Sequence, residues 1–307
     1  MLSFILRRLA IAIPTILIII VVSFLLMHAA PGGPFSADRK LPPEVLANLE
    51  AKYDLDKPLP VQIYNYVKRI VVDFDFGPSF KYKNQTVNDL IASGFPVTLT
   101  YGFWSFVVAT IIGVGLGVIA ALRHNTWLDY LATGTAILGS VLPNFVMAPL
   151  LVLLFTVYLQ WLPGGGWEGG QWQYIIMPVI ALATSYLASI ARITRSSMLE
   201  VLNSNFIRTA RAKGLPARTV ILRHALKPAM LPVLTSLGLS FVGMVTGSVV
   251  IDQYFSTGGI GQHFVNAALN RDYSVIMGVT ILVGTMTILF NLLVEILYAW
   301  IDPRIRY

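Results

Sequence analysis

The sequence predicts an all-α membrane protein with six transmembrane helices and both termini on the cytoplasmic side. Of its 307 residues, 56% are hydrophobic and only 12% are charged, and the mean hydropathy is +0.70. Soluble domains carry about 25% charged residues. Six apolar stretches are near or above the roughly 20 residues that a membrane span needs. Basic residues concentrate between alternate stretches, which sets the predicted orientation.

The first apolar stretch runs from Leu9 to about Met27, directly after Arg7 and Arg8. A secretory signal has the same order of charge and apolar residues, but its apolar core is only about 7–15 residues long. This stretch is long enough to cross a bilayer. We therefore predict that residues 1–30 form a retained first membrane helix.

Residues 31–96 form the only long polar region, and we predict that they make an external, periplasmic cap. The region opens on the helix-breaking run Pro31-Gly32-Gly33-Pro34 and contains eight basic and eight acidic residues. A turn is expected at residues 75–79. Two short amphipathic helices are indicated by apolar residues at helical spacing: Leu46, Leu49, Tyr53, Ile63, Val67 and Ile70.

Residues 97–307 are predicted to form a five-helix core. Its apolar stretches cover about 97–122, 131–160, 174–191, 229–251 and 275–300. Glycines four residues apart permit close contact between helices in lipid, and they occur at Gly113 and Gly117 and again at Gly243 and Gly247. Kinks are expected at Pro143, Pro149 and Pro178, because proline removes a helix hydrogen bond.

Thirteen arginines and lysines lie on the side of the membrane that holds the N-terminus, and eight of them are in the loop 192–228. The opposite short loops, 161–173 and 252–274, contain only Arg271. Because short loops rich in arginine and lysine remain in the cytoplasm, both termini and the loop 192–228 are predicted to be cytoplasmic. The net charge of +7 then follows from topology, and no nucleic-acid partner is predicted.

The cytoplasmic loop contains a short basic helix of about two turns. Ser204 or Asn205 can cap its start, and Gly214 followed by Leu215-Pro216 ends it. Such a short helix is marginal alone, so we expect it to gain stability by docking on a partner.

The spacing of Phe206, Ala210 and Gly214 places them on one face of the helix. The side chains on this face are small towards its end, so another backbone can approach closely there. Arg208, Arg211 and Lys213 flank this face and suit an acidic groove. The alternative is a basic helix lying on anionic lipid headgroups.

Several chemistries lack the residues that they need. There is no Walker-type phosphate loop, and the glycine-rich segment 164–170 has no lysine and reads as a turn. The four histidines lack metal-ligand spacing, and the sequence contains no cysteine. Glu295 is the only acid assigned to a span, which argues against a proton- or sodium-coupled carrier. An intramembrane serine protease is also disfavoured, because His28 sits at a membrane edge and the other histidines in or beside loops. The pattern indicates a helical bundle without its own energy source.

Three segments in and just after the cytoplasmic loop 192–228 resemble the conserved cytoplasmic loop, known as the EAA loop, of permease subunits of ATP-binding-cassette (ABC) importers. They are residues 208–215, 223–228 and 231–233, and residues 75–79, 161–166 and 301–303 also resemble the peptide branch of that family. The resemblance spans the chain from its first helix to Tyr307 and is greatest to the B-type subunits of bacterial oligopeptide permeases. This chain has Arg208 and Thr209 where the general motif has glutamate and alanine. It also has His224 and Lys227 where that motif has isoleucine and proline.

The resemblance implies a type I ABC importer permease fold in the bacterial cytoplasmic membrane, and it implies the channel-forming subunit of an oligopeptide importer. Dipeptide, glutathione or nickel import are the alternatives within the family. The implied ATPase-coupling residues are Phe206, Ile207, Arg208, Thr209, Ala210, Arg211, Ala212, Lys213 and Gly214. ATP and Mg would be bound by partner ATPases, so no cofactor and no enzymatic activity are expected in this chain.

The implied partners are a second, homologous permease subunit forming a heterodimer, two ABC ATPases, an external peptide-binding protein, the peptide itself and membrane lipid. Gly258, Gly259 and Gly261 resemble the loop offered to the binding protein, although a plain glycine-rich turn explains them as well. From the residues alone, an autonomous carrier, channel or scaffold stays open. Co-isolation with two nucleotide-binding chains would distinguish these classes.

Overall fold

The computed structural model describes residues 2–29, 56–82 and 84–301. Their ordered elements are helices, with one isolated bridge between Pro78 and Thr86. The helices are α1 (Leu2–Ala29), α2 (Leu59–Val72), α3 (Val87–Leu122), α4 (Trp127–Val141), α5 (Asn144–Leu151), α6 (Trp172–Leu202), α7 (Asn205–Ala212), α8 (Ala217–Val245), α9 (Val249–Phe255), α10 (Ile260–Asn270) and α11 (Tyr273–Ile301).

Five of these helices, α1, α3, α6, α8 and α11, are long and apolar enough to cross a membrane. The sixth expected span is a bent pair, α4 and α5, whose axes differ by 102°. The break falls at Pro143, whose ring pushes the preceding Leu142 into an extended conformation (φ −80°, ψ 109°). Beyond Pro149 the pair continues as a π-helix, Val152–Tyr158. Pro178, in contrast, lies inside the continuous helix α6.

The helix α3 begins at Val87, ten residues before the predicted start of its span. Its start is fixed by a reciprocal cap: the Thr86 hydroxyl accepts from the Asp89 N–H at 3.1 Å, and the Asp89 carboxylate accepts from the Thr86 N–H at 2.9 Å. Residues 87–96, which the sequence analysis places in the external cap, are therefore helical and continuous with the span that follows. Helix α6 likewise continues to Leu202, eleven residues past its predicted end.

The predicted span 229–251 ends early, at Val245. The chain turns at Gly247, whose φ of +85° is strained for residues with a Cβ. Residues 249–251 belong instead to α9. This turn converts the end of the predicted span into a separate helical hairpin, α9–α10.

Close packing of α3 on α6 forms the centre of the bundle. A Cβ placed on Gly113 would lie 2.9 Å from Ile190 Cγ2, and one on Gly117 would lie 2.6 Å from the Ala191 carbonyl oxygen. These glycines therefore allow the two backbones to approach, which confirms their predicted packing role. Gly243 on α8 similarly faces the Tyr186 hydroxyl of α6.

The first helix packs chiefly on the last. Phe24 of α1 joins a buried cluster with Ile70 of α2 and Ile281 of α11, and Arg8 Nε lies 3.0 Å from Glu295 Oε2. Helix α2 confirms the amphipathic helix marked by Ile63, Val67 and Ile70. The helix predicted around Leu46, Leu49 and Tyr53 lies outside the described residues.

The bundle has two dissimilar ends. The end that carries residues 123–126 and 203–225 is called the basic end, because it holds most of the described arginines. The other carries the loops 73–86, 160–171 and 246–272 and is called the hairpin end. Helix α11 starts at Tyr273, at the hairpin end, so its last turns lie towards the basic end, and there Glu295 pairs with Arg8 of α1.

Candidate functional site

Helix α7 lies at the basic end and presents two different faces. Ile207 is fully buried and Ala210 is 6% exposed. They pack in a cluster with Ala121 of α3, Met198 of α6 and Val220 of α8. This contact fixes α7 rigidly to the ends of three long helices. The remaining residues of the predicted coupling segment are exposed: Phe206, Arg208, Thr209, Arg211, Ala212, Lys213 and Gly214.

The predicted docking face therefore needs correction. Ala210 packs into its own bundle and is not free to meet a partner, whereas Phe206, assigned to the same face, is 48% exposed. Gly214 has a φ of +76° and nothing within 4 Å of the position of a Cβ. Its glycine is required by the backbone turn rather than by crowding within this chain.

The predicted ends of α7 are confirmed in position. Ser204 is the residue before the helix, but its hydroxyl donates to the Val201 carbonyl at 2.6 Å instead of capping α7. At the other end the Gly214 N–H donates to Arg211 O at 3.0 Å, and the Leu215 N–H donates to Ala210 O at 3.4 Å. These two bonds close the helix through the left-handed glycine.

A buried ion pair near the basic end was missed by the sequence reasoning. Asp129 of α4 is 2% exposed, its carboxylate accepts from Arg195 of α6 and from the Asn125 N–H at 3.0 Å, and His124 Nδ1 lies 3.2 Å from it. The span was predicted to begin at 131, so Asp129 was read as a loop residue. Glu295 is thus not the only acid within the span helices, since α3 and α6 also include Asp89 and Glu200.

At the hairpin end, Asp252 of α9 is fully buried. Its carboxylate accepts from the Gly261 N–H at 2.9 Å, from the Thr98 hydroxyl of α3 at 3.3 Å and from the Thr257 hydroxyl. The Thr98 hydroxyl also accepts from the Ile260 N–H at 2.9 Å. One carboxylate therefore ties the hairpin α9–α10 to the central helix α3. Burial raises the pKa of Asp252, although its hydrogen bonds act in the opposite direction.

The glycines predicted to meet a binding protein are mostly turned inward. Gly259 and Gly261 are buried, and a Cβ on Gly261 would lie 2.6 Å from Val249 Cα. Gly258 is half-buried, with φ +76° and open space beside it. Their close contacts place Gly259 and Gly261 under the hairpin. The exposed residues here are Gln253, Tyr254 and Ser256.

A second buried carboxylate, Asp272, holds the loop before α3. It accepts from the Ser79 hydroxyl and from the backbone N–H groups of Phe80 at 3.2 Å and Lys81 at 3.3 Å. Gly77 supplies the left-handed turn within this loop (φ +90°). The turn predicted at residues 75–79 is therefore confirmed, and Asp272 fastens it to the start of α11.

Comparison with known families decides the class of protein. Residues 113–307 match the model of the binding-protein-dependent transport system inner membrane component, and residues 1–102 match the model of the N-terminal part of such membrane components. The chain belongs to this family. It is a multi-pass permease of the inner membrane, as the sequence predicted.

Relatives of this permease match it over essentially their whole length. The oligopeptide transport system permease protein OppB of Salmonella typhimurium is 60% identical over 307 residues, covering all of both chains. OppB of Haemophilus influenzae is 56% identical with the same coverage. The dipeptide transport system permease protein DppB of Bacillus subtilis is 45% identical over 292 residues, which are 95% of this chain and 94% of the relative.

Solved structures confirm the fold of the permease. Inward-facing MetNI, a methionine ABC transporter, aligns with a TM-score of 0.60 over 69% of this chain and 96% of that chain, at 17% identity. An amino acid ABC transporter aligns with a TM-score of 0.53 over 71% of this chain and 95% of that chain, at 16% identity. At these identities the likeness shows the ABC importer permease fold and nothing about substrate.

Proposed function

We propose that this permease is the OppB-type membrane subunit of a bacterial oligopeptide importer. The proposal rests on its 60% identity, over the full length of both chains, with a permease of an oligopeptide transport system. The dipeptide permease relative is 45% identical, so dipeptide import is the second candidate. The higher identity favours longer peptides.

The proposed complex contains a second, homologous permease subunit, two ABC ATPases that bind ATP and Mg, and an external peptide-binding protein. Dependence on a binding protein is part of the family description. The basic end is assigned to the cytoplasm because it holds the arginine-rich short loops. The hairpin end then faces the binding protein and offers it Gln253, Tyr254 and Ser256.

Helix α7 is proposed to pass ATPase closure to the spans. Its inward residues, Ile207 and Ala210, are locked against the ends of α3, α6 and α8. Its outward side carries Arg208, Thr209 and Ala212, which are exposed. A force on the outward side is therefore transmitted to three helices at once as a rigid-body movement, which alternating access requires.

A matched pair of substitutions tests this coupling in the purified complex. Phe206 and Phe103 are both 48% exposed, but Phe206 lies on α7 and Phe103 lies midway along α3. Because exposed aromatic residues often dominate a protein interface, Phe206→Ala is expected to weaken ATPase binding by about tenfold or more. Phe103→Ala should leave it unchanged. The readout is co-isolation of the ATPases together with vanadate-sensitive ATPase activity stimulated by loaded binding protein.

Equal behaviour of the two variants would overturn the coupling role of α7 and favour the alternative in which α7 lies on lipid. Substrate class is tested separately. Uptake of labelled dipeptides and longer peptides is measured in cells that lack this chain and in cells in which it is restored. Restored uptake of longer peptides supports the oligopeptide proposal, whereas restoration of dipeptide uptake alone favours the second candidate.

A further inference from the structure

An open pocket of about 580 Å³ at the basic end has no role in the transport cycle described above. It lies between the loop that follows α3, the end of α6, the end of α7 and the start of α8. It opens beside α7, whereas the outward side of α7, with Arg208, Thr209 and Ala212, points away from the bundle. The chemistry of its lining indicates what it binds.

The polar part of the lining is cationic. Arg123 and Arg211 both line the pocket, and neither has an ion pair with any residue that the structure describes. Asn203 also lines the pocket, with one amide hydrogen donated to the Leu199 carbonyl at 3.0 Å. The pocket therefore offers two unneutralised guanidinium groups, whose planar donor sets suit a phosphate.

The rest of the lining is apolar. Leu122, Leu199, Leu202 and Ile221 line the same pocket. A free inorganic anion would leave these apolar residues exposed to water. A ligand with a phosphate at one end and hydrocarbon at the other would cover both parts of the lining.

The pocket lies at the level of the membrane surface. Trp127 and Tyr130, in the first turn of α4, are each 70% exposed. They follow Arg123 and His124 by only a few residues. Exposed tryptophan and tyrosine at the end of a span are typical of the headgroup region, so the two arginines lie where lipid phosphates are found.

We propose that this pocket binds an anionic phospholipid, with its phosphate between Arg123 and Arg211 and its hydrocarbon on Leu199 and Leu202. The proposal rests on the assignment of the basic end to the cytoplasmic leaflet. It does not depend on which substrate is imported. A carboxylate of the ATPase is the disfavoured occupant, because it would not cover the apolar lining and Arg211 sits beside the buried face of α7.

The test uses the purified complex in bilayer discs that contain equal amounts of phosphatidylglycerol and phosphatidylcholine. Lipids that stay bound are counted by native mass spectrometry after release. The wild-type complex is expected to retain phosphatidylglycerol selectively. The double variant Arg123→Gln/Arg211→Gln should reduce this selectivity by about tenfold or more, since each arginine near a membrane surface contributes about 1 kcal/mol.

The control is Arg218→Gln/Arg223→Gln, which removes the same charge from exposed residues at the same end that do not line the pocket. It should keep the wild-type selectivity. Equal retention of both lipids by the wild-type complex would by itself overturn the proposal. An equal loss of phosphatidylglycerol selectivity in the two double variants would also overturn it. Loss of ATPase co-isolation with unchanged lipid selectivity would assign the pocket to the ATPase instead.

Inorganic phosphate, added to the complex in discs of phosphatidylcholine alone, separates the two sources of phosphate. Protection of the complex against thermal unfolding by phosphatidylglycerol but not by inorganic phosphate is the expected result. Equal protection by both would show a simple anion site and overturn the lipid assignment. Failure of peptide uptake leaves all these readouts unaffected, so this proposal and the proposed substrate are tested independently.

Discussion

The guanidinium of Arg195 and the carboxylate of Asp129 are joined by two parallel hydrogen bonds, Nε to Oδ1 at 2.6 Å and Nη2 to Oδ2 at 2.8 Å. This contact ties α4, the first half of the bent span, to the central helix α6. Paired bonds between arginine and carboxylate are strong and directional. The bend at Pro143 separates α4 from α5, so this ion pair and the packing around it hold α4 in place.

Removing the Arg195 side chain should therefore reduce stability more than replacing the Asp129 carboxylate by a neutral amide. Arg195→Ala leaves the buried Asp129 carboxylate without its cation and is expected to lower the free energy of unfolding by about 3 kcal/mol. Asp129→Asn keeps the shape and should lose about 1 kcal/mol. The measurement is denaturant unfolding of the purified complex in detergent. The apolar pair Asp129→Leu/Arg195→Met should recover part of the loss. A double variant Asp129→Asn/Arg195→Ala whose loss equals the sum of the two single losses would contradict the ion pair.

Two glycines in one helix provide a matched test of packing. A Cβ at Gly117 would lie 2.6 Å from the Ala191 carbonyl oxygen, whereas a Cβ at Gly115 would meet nothing within 4 Å. Gly117→Ala is expected to lower stability by about 1–3 kcal/mol through overpacking. Gly115→Ala should be neutral or slightly stabilising. Thermal unfolding of both variants is the measurement, and equal shifts would contradict a specific packing role for Gly117.

Substitutions at Gly214 separate a backbone requirement from a docking requirement. Because its φ is +76°, Gly214→Leu is expected to lose about 1–2 kcal/mol from backbone strain alone. Gly214→Asn tolerates this conformation better and still adds a side chain. If α7 must bring its bare backbone against the ATPase, both variants lose ATPase stimulation by substrate. If the glycine serves only the turn, the asparagine variant keeps it.

The buried carboxylate of Asp252 predicts a pH dependence of stability. Because burial raises its pKa, the folded protein holds a proton that the unfolded chain has already lost above its ordinary pKa of about 4. The stability contributed by this group is complete below that value and decreases as the pH rises through the raised pKa. The variant Asp252→Asn should lack this decrease. Unfolding midpoints of the wild type and of Asp252→Asn are measured from below about pH 4 upward. Parallel dependence of the two midpoints on pH would contradict the prediction.

Sequence reasoning located the spans well because apolar length is a local property. It failed at their ends, where a single polar group decides the outcome: the cap by Thr86 and Asp89 began α3 early, and the turn at Gly247 ended α8 early. The ion pair of Asp129 was missed because its partner, Arg195, lies 66 residues away and no local sequence pattern links the two.

The face of α7 was assigned from spacing alone. Spacing correctly groups residues on a helix, but it does not reveal which group meets the rest of the chain. The structure shows that Ile207 and Ala210 pack inward, on the flanking helices α6 and α8 and on Ala121 of the distant helix α3. The same reason explains Gly259 and Gly261, whose contacts with Asp252 and Val249 place them under the hairpin.

The packing of α1 on α11 has a consequence for biosynthesis. Helix α1 is synthesised well before α11, so Phe24 meets Ile281 and Arg8 meets Glu295 only after α11 has been made. Until then α1 presents an unpartnered surface to lipid and to the insertion machinery. Synthesis of α11 therefore completes the packing of α1, and a product that stops before α11 leaves Phe24 without Ile281 and Arg8 without Glu295.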